Sequence, residues 1–192
     1  LAARCARLCA ASMEEQRGRL LELTPLPVRR RPFGSVADSI REASCCCAVE
    51  LEGLKEPALL VLDRAFVFSL LEEFFGAGGF ERPGRRPLTA LETMLARKFA
   101  DRFLAAFDLA GKPSSWHPRC GHSSSLPRLA VLTPDEQPVW HLAFRSLLGG
   151  RAGALCLCLP EDFSTHLAVR SALPGPGPVS YTHLRAHETT LH

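Results

Sequence analysis

Pro57-Ala58-Leu59-Leu60-Val61-Leu62-Asp63, running on into Arg64-Ala65-Phe66-Val67-Phe68-Ser69-Leu70-Leu71-Glu72-Glu73-Phe74-Phe75-Gly76, decides the fold. Ala58 to Leu62 is a continuous apolar run, the mark of a buried strand. Asp63 is placed as an N-cap, and Arg64 to Phe75 follows as a helix. The unit recurs. Ala154 to Leu159 is a second strand, and Pro160 opens a helix over Glu161 to Arg170, since proline is well tolerated in a first helical turn. Phe66 then corresponds to Phe163, and Leu70 to Leu167. A similar shift sets Cys5 against Phe99 and Cys9 against Phe103. Each half therefore reads helix, strands, helix. Two such halves, related by a pseudo-two-fold axis, share one sheet with the long helices on its face. The fold class is α/β (α+β).

Outward from this stretch the signals differ in strength. Leu1 to Gln16 has the apolar spacing of a helix at Leu1, Cys5, Leu8, Cys9 and Met13. Leu20 to Leu26 reads as a strand, and Phe33 to Glu42 as a short helix. Arg29-Arg30-Arg31 reads as a solvated turn. Cys45 to Leu51 is a strand turning back at residues 52–57. Thr89 and Glu92 form a capping box at the head of the longest helix. Its stripe is Leu88, Leu91, Leu95, Phe99, Phe103 and Phe107. Lys112 to Pro127 is polar and irregular. Strands are expected at Arg128–Leu132 and Val139–Leu147.

The 192 residues suit one domain able to bury a core without staples. Apolar residues make up 46% and charged residues 22%, and the net charge of +3 is too small to indicate a nucleic acid partner. No secretory signal or membrane span is expected. None of the eight cysteines forms C-x-x-C, and most sit in apolar runs, so a reducing, cytosolic compartment is expected. Leu1 reads as part of a helix already under way. Val179 to Thr189 resembles the in-frame translation of a transposase adapter used in sequencing libraries. Residues 1–173 are therefore expected to be the domain. Residues 174–192 are expected to be a Pro/Gly linker with an adapter-derived tail, whose His183, His187 and His192 carry no metal expectation.

The stretch from Glu56 to Phe107 resembles the middle domain of the FliM family of flagellar motor switch proteins. The resemblance rests on the strand, helix and Gly76 quoted above, on Leu88-Thr89-Ala90-Leu91-Glu92 opening a long helix that ends at Ala106-Phe107, and on Leu157-Cys158-Leu159-Pro160 before a helix. Motif order and spacing carry it across about residues 1–173. It implies a CheC-like α/β/α fold. It also implies a scaffold, not an enzyme, in the cytoplasmic rotor ring (C-ring) of the flagellar basal body, on the cytoplasmic face of the inner membrane. There the family packs beside other FliM copies and helps switch rotation in chemotaxis. The implied FliG contact is a glycine-rich loop after a helix, here Gly76-Ala77-Gly78-Gly79. The family pattern is Gly-Gly-x-Gly, so Ala77 replaces the second glycine, at about 1 kcal/mol or more if that position needs positive φ. The family's acidic motif for phosphorylated CheY and its FliN-like domain have no counterpart here, so those two partners would be reached through parts missing from this stretch. A related type III secretion ring protein is the runner-up, and a CheC-like phosphatase of phosphorylated CheY comes third.

The residues argue against the phosphatase. That chemistry needs a Glu and an Asn three residues apart on the long helix. Glu92 is followed at that spacing by Leu95, and the chain has no Asn. His117, Cys120 and His122 have zinc-like spacing without an evident fourth ligand. Cys45-Cys46-Cys47 cannot all face one ion, because strand side chains alternate. His141 and His166 read as surface or satisfied core residues. No metal, cofactor, P-loop, dinucleotide fingerprint or hydrolase nucleophile is expected.

Overall fold

A computed structural model describes residues 1–17, 20–40, 44–76, 86–112 and 116–172. In chain order the elements are α1 (Ala2–Arg17), β1 (Leu21–Pro25), β2 (Arg29–Pro32), α2 (Phe33–Ser39), β3 (Cys45–Glu50), β4 (Ala58–Leu62) and α3 (Arg64–Phe75). The second half follows as α4 (Ala90–Gly111), β5 (Arg119–Ser124), α5 (Pro127–Ala130), β6 (Pro138–Leu148), β7 (Arg151–Pro160) and α6 (Phe163–Ala172). The strands form one antiparallel sheet in the order β1-β6-β7-β4-β3-β5, with β2 also pairing to β6.

Strand alternation splits the apolar residues between two cores. Cys45, Cys47, Val49, Ala58, Leu60, Leu62, Leu155, Leu157 and Leu159 face the larger one, with α1, α3, α4 and Phe163. Cys46, Leu59, Val61 and Cys158 face the smaller one, under Phe33, Val36 and Ala37 of α2 and Val131 beyond α5. Ala58–Leu62 is thus buried on both faces, which is why its sequence has no polar alternation. The larger core is locked by aromatic edges: Phe66 meets Phe99 at 4.7 Å and Phe103 meets Phe144 at 5.4 Å between ring centroids.

The internal repeat has a geometric counterpart. The repeat equates residue 60 with residue 157, and Leu60 pairs with Leu157 across β4 and β7. The flanking pairs cross over: Leu62 meets Leu155, the equivalent of Ala58, and Leu59 meets Cys158, the equivalent of Val61. Such crossed pairing is what a two-fold axis through the Leu60–Leu157 pair produces. The halves also interleave. β1 of the first half lies on β6 of the second, and β5 of the second lies on β3 of the first.

Five expectations are corrected. Arg29–Arg31 is strand β2, not a solvated turn; it pairs with β6, and Arg30 forms an ion pair with Glu161. The segment read as irregular holds β5, a polar edge strand. Arg128–Leu132 is no strand: Pro127 to Ala130 makes one helical turn, with Pro127 supplying the preset φ at its start. Pro160 ends β7, and α6 begins at Phe163. Within the long helix the buried stripe starts at Leu95, and Leu91 is 51% exposed. The expected linker and tail, residues 174–192, lie outside the described residues.

Candidate functional site

The glycine-rich segment leaves from the end of α3. Asp63 starts that helix, its carboxylate accepting from the Phe66 N–H at 2.7 Å. Gly76 ends it in the left-handed region, at φ +67°, and donates its N–H to the Glu72 carbonyl at 2.9 Å. That conformation suits glycine and strains any other residue. A side chain on Gly76 would meet nothing within 4 Å, so the backbone angle alone sets the requirement. Of the expected loop, Gly76 is placed; Ala77, Gly78 and Gly79 lie outside the described residues.

Two contacts fix the end of α3 to the β6–β7 hairpin. Arg151 Nε reaches Glu72 Oε2 at 2.7 Å. The hairpin turns on Gly149 and Gly150, both at positive φ, and Gly149 packs so close to Glu73 that a Cβ there would collide with its carboxylate. Beyond this clamp, Phe74 and Phe75 stand 40% and 51% exposed, ring against ring at 5.8 Å. Where the chain re-enters helix at α4, Leu91 and Met94 are also exposed. Large apolar side chains thus flank residues 77–85 on both sides. The sequence reading placed Leu91 in the core-facing stripe and did not single out Phe74, Phe75 or Met94 as exposed; the available signal was a helix whose apolar residues extend past its core-facing stripe.

Glu92 is occupied in structure. Thr89 Oγ1 accepts from its N–H at 3.3 Å, its carboxylate accepts from the Thr89 N–H at 2.6 Å, and Arg86 binds both carboxylate oxygens at 2.6 and 2.8 Å. The Arg86 guanidinium, helped by the Thr89 bonds against the cost of burial, holds this carboxyl down to about 2. A group so held is a helix cap and not a general base.

The histidine and cysteine candidates are dispersed. His117 has its Nδ1 2.6 Å from Glu52 Oε2, and His117, Cys120 and His122 do not form a ligand group. Burial pushes the thiols of Cys5, Cys9 and Cys46 up to about 12. Among the described residues, the one group of three His, Cys or carboxylate side chains with ligand atoms within 4.8 Å of one another is His141, Cys156 and Cys158.

The sequence profile of the family described as flagellar motor switch protein FliM matches residues 1–173. The chain belongs to the FliM family. Flagellar motor switch protein FliM of Treponema pallidum (strain Nichols) is 24% identical over 161 residues, which are 81% of this chain and 45% of that one. The chain thus spans less than half the length of that relative. The FliM middle domain of Vibrio alginolyticus superimposes with a TM-score of 0.77 at 19% identity, over 88% of this chain and 95% of that one. A chain of the FliG–FliM complex from H. pylori superimposes with a TM-score of 0.75 at 13% identity, over 82% and 87%. The fold is that of FliM middle domains. FliM is a motor component and not a known type of enzyme. Among the described residues no helix is long and apolar enough to cross a membrane.

Proposed function

We propose that residues 1–173 act as the middle domain of a motor switch protein, docking FliG through Gly76-Ala77-Gly78-Gly79 and packing beside copies of the same chain in a rotor ring. The observation carrying this reading is the exit of α3: a left-handed Gly76 on a helix end clamped to the sheet, next to two exposed phenylalanines. A rigid stem ending in apolar anchors is what a docking loop needs, because affinity comes from a few preorganised aromatic residues. The FliM–FliG pairing in the H. pylori complex supports FliG as the partner. Contacts with FliN and phosphorylated CheY are assigned to parts of a switch protein outside these 192 residues. The domain transmits a conformational change through its surfaces, peripheral to the membrane on its cytoplasmic face, and carries no catalysis. The capped Glu92 and the lack of any Asn support that last point.

A pull-down with the cognate FliG tests the reading. Replacing Gly78 and Gly79 with bulky residues is expected to abolish capture. Unchanged capture by that double variant removes the loop from the interface.

A further inference from the structure

We propose that His141, Cys156 and Cys158 form a binding site for zinc on the sheet face that carries α2. The register brings them together. His141 lies directly opposite Cys158 across β6 and β7, and Cys156 is two residues along β7. Opposed residues of an antiparallel pair share a face, and residues two apart on a strand share it too. All three side chains therefore project from one side, and their ligand atoms lie within 4.8 Å of one another. Tetrahedral zinc, with bonds of about 2.3 Å to sulfur and about 2.0–2.1 Å to nitrogen, needs its donors roughly 3.5–3.8 Å apart. The present spacing exceeds that by at most about 1.3 Å, the scale of a side-chain torsional adjustment.

The donor set and its surroundings select the ion. Two thiolates and an imidazole suit a soft or borderline cation and exclude magnesium and calcium, which take oxygen ligands. Each thiol gives up its proton to solvent on binding, so two thiolates cancel the charge of one zinc ion. The bound cluster is neutral, which its partly apolar setting requires. Cys158 is 2% exposed, behind the site. His141 and Cys156 line a cavity of about 510 Å³ that also presents Ser39, Ser44 and Asp63. The fourth coordination position opens into that cavity and takes water or a small exogenous donor. Three protein ligands and one open position make an exchangeable site rather than a closed structural one.

Cobalt(II) is the probe, because thiolate-to-cobalt charge transfer in the near ultraviolet arises from sulfur ligation alone. Histidines elsewhere, including His183, His187 and His192, do not produce it. The reduced full chain, freed of metal, is titrated with cobalt(II) without oxygen. One equivalent is expected to give the band, and one equivalent of zinc to remove it. Cys158→Ser and His141→Ala are expected to weaken cobalt binding at least tenfold, whereas Cys45→Ser and Cys120→Ser leave it unchanged. Alkylation mapping on the unaltered chain needs no variant. Zinc is expected to slow labelling of Cys156 at least tenfold and leave Cys120 unaffected. Absence of the band, a band that survives loss of Cys158 or depends on Cys45 or Cys120, or equal labelling of Cys156 with and without zinc, overturns the site.

Discussion

Three residues set the local conditions of the α3 exit and the α4 entry. Gly76 and Gly149 both sit at positive φ, at +67° and +58°, but in different surroundings. A methyl group on Gly76 meets open space, so Gly76→Ala is expected to cost about 1 kcal/mol from backbone strain alone. At Gly149 the same methyl strikes the Glu73 carboxylate, so Gly149→Ala is expected to cost more, about 2–3 kcal/mol. Urea midpoints of the two variants rank the positions; equal costs mean that Glu73 simply moves aside. Glu92 supplies the pH dependence. Its folded carboxyl titrates at about 2 against an ordinary 4.5, a depressed value held chiefly by Arg86. Its stabilisation is therefore complete above about pH 4.5 and is lost as the pH falls toward 2. Glu92→Gln is expected to lose about 1 kcal/mol at pH 6 and less at pH 3. A gap between the unfolding curves that stays constant over this window excludes the Arg86 pairing as its source.

Among the elements, burial on both faces made a strand legible, and position at a sheet edge hid one. β4 is five apolar residues in the most crowded part of the sheet, and its bounds can be read directly from the sequence. β2 consists of three arginines and a proline, and β5 of Arg119 to Ser124 contains one residue with apolar character, Cys120. Both are partly solvated edge pieces, where side-chain pattern carries little strand signal and charge is favoured. Besides its ladder with β3, β5 is held by a long-range contact that no local pattern shows. Arg97 of α4 donates to the Gly121 carbonyl at 2.8 Å, the Cys120 carbonyl at 3.2 Å and Ser123 Oγ at 3.1 Å. Arg97→Ala is expected to cost about 1.5–3 kcal/mol, the range for charge-assisted bonds. Amide exchange measures it locally, with protection lost at residues 119–124 and kept in β4. The candidate site was legible to the same degree. Gly76 was visible as a helix stop, whereas the clamp of Glu72 on Arg151 joins residues 79 positions apart and lies beyond any local pattern.

At the scale of the whole molecule, a pseudo-two-fold core separates stability from docking. The repeat was legible because β4–α3 and β7–α6 carry matching apolar spacing. The exchange of β1 and β5 between halves was not, since those strands share no pattern. Leu60 and Leu157 are 0% and 1% exposed and face each other on the axis. Leu60→Ala and Leu157→Ala are each expected to cost about 2–5 kcal/mol, and the double variant less than the sum, because each loses the other's contact. Phe74 and Phe75 lie outside this core and are 40% and 51% exposed, so truncating them costs less than losing a fully buried side chain. On the proposed reading they anchor FliG, and Phe74→Ala with Phe75→Ala is expected to weaken FliG binding at least tenfold, about 1.4 kcal/mol or more, with the melting temperature within a few degrees of the unaltered chain. Leu60→Ala is expected to do the reverse, lowering the melting temperature while the folded fraction binds FliG with unaltered affinity. Titration calorimetry beside thermal unfolding on both variants separates the two effects. Unaltered FliG affinity in the phenylalanine variant places the interface elsewhere on the domain, and a common loss in both variants ties docking to the integrity of the sheet.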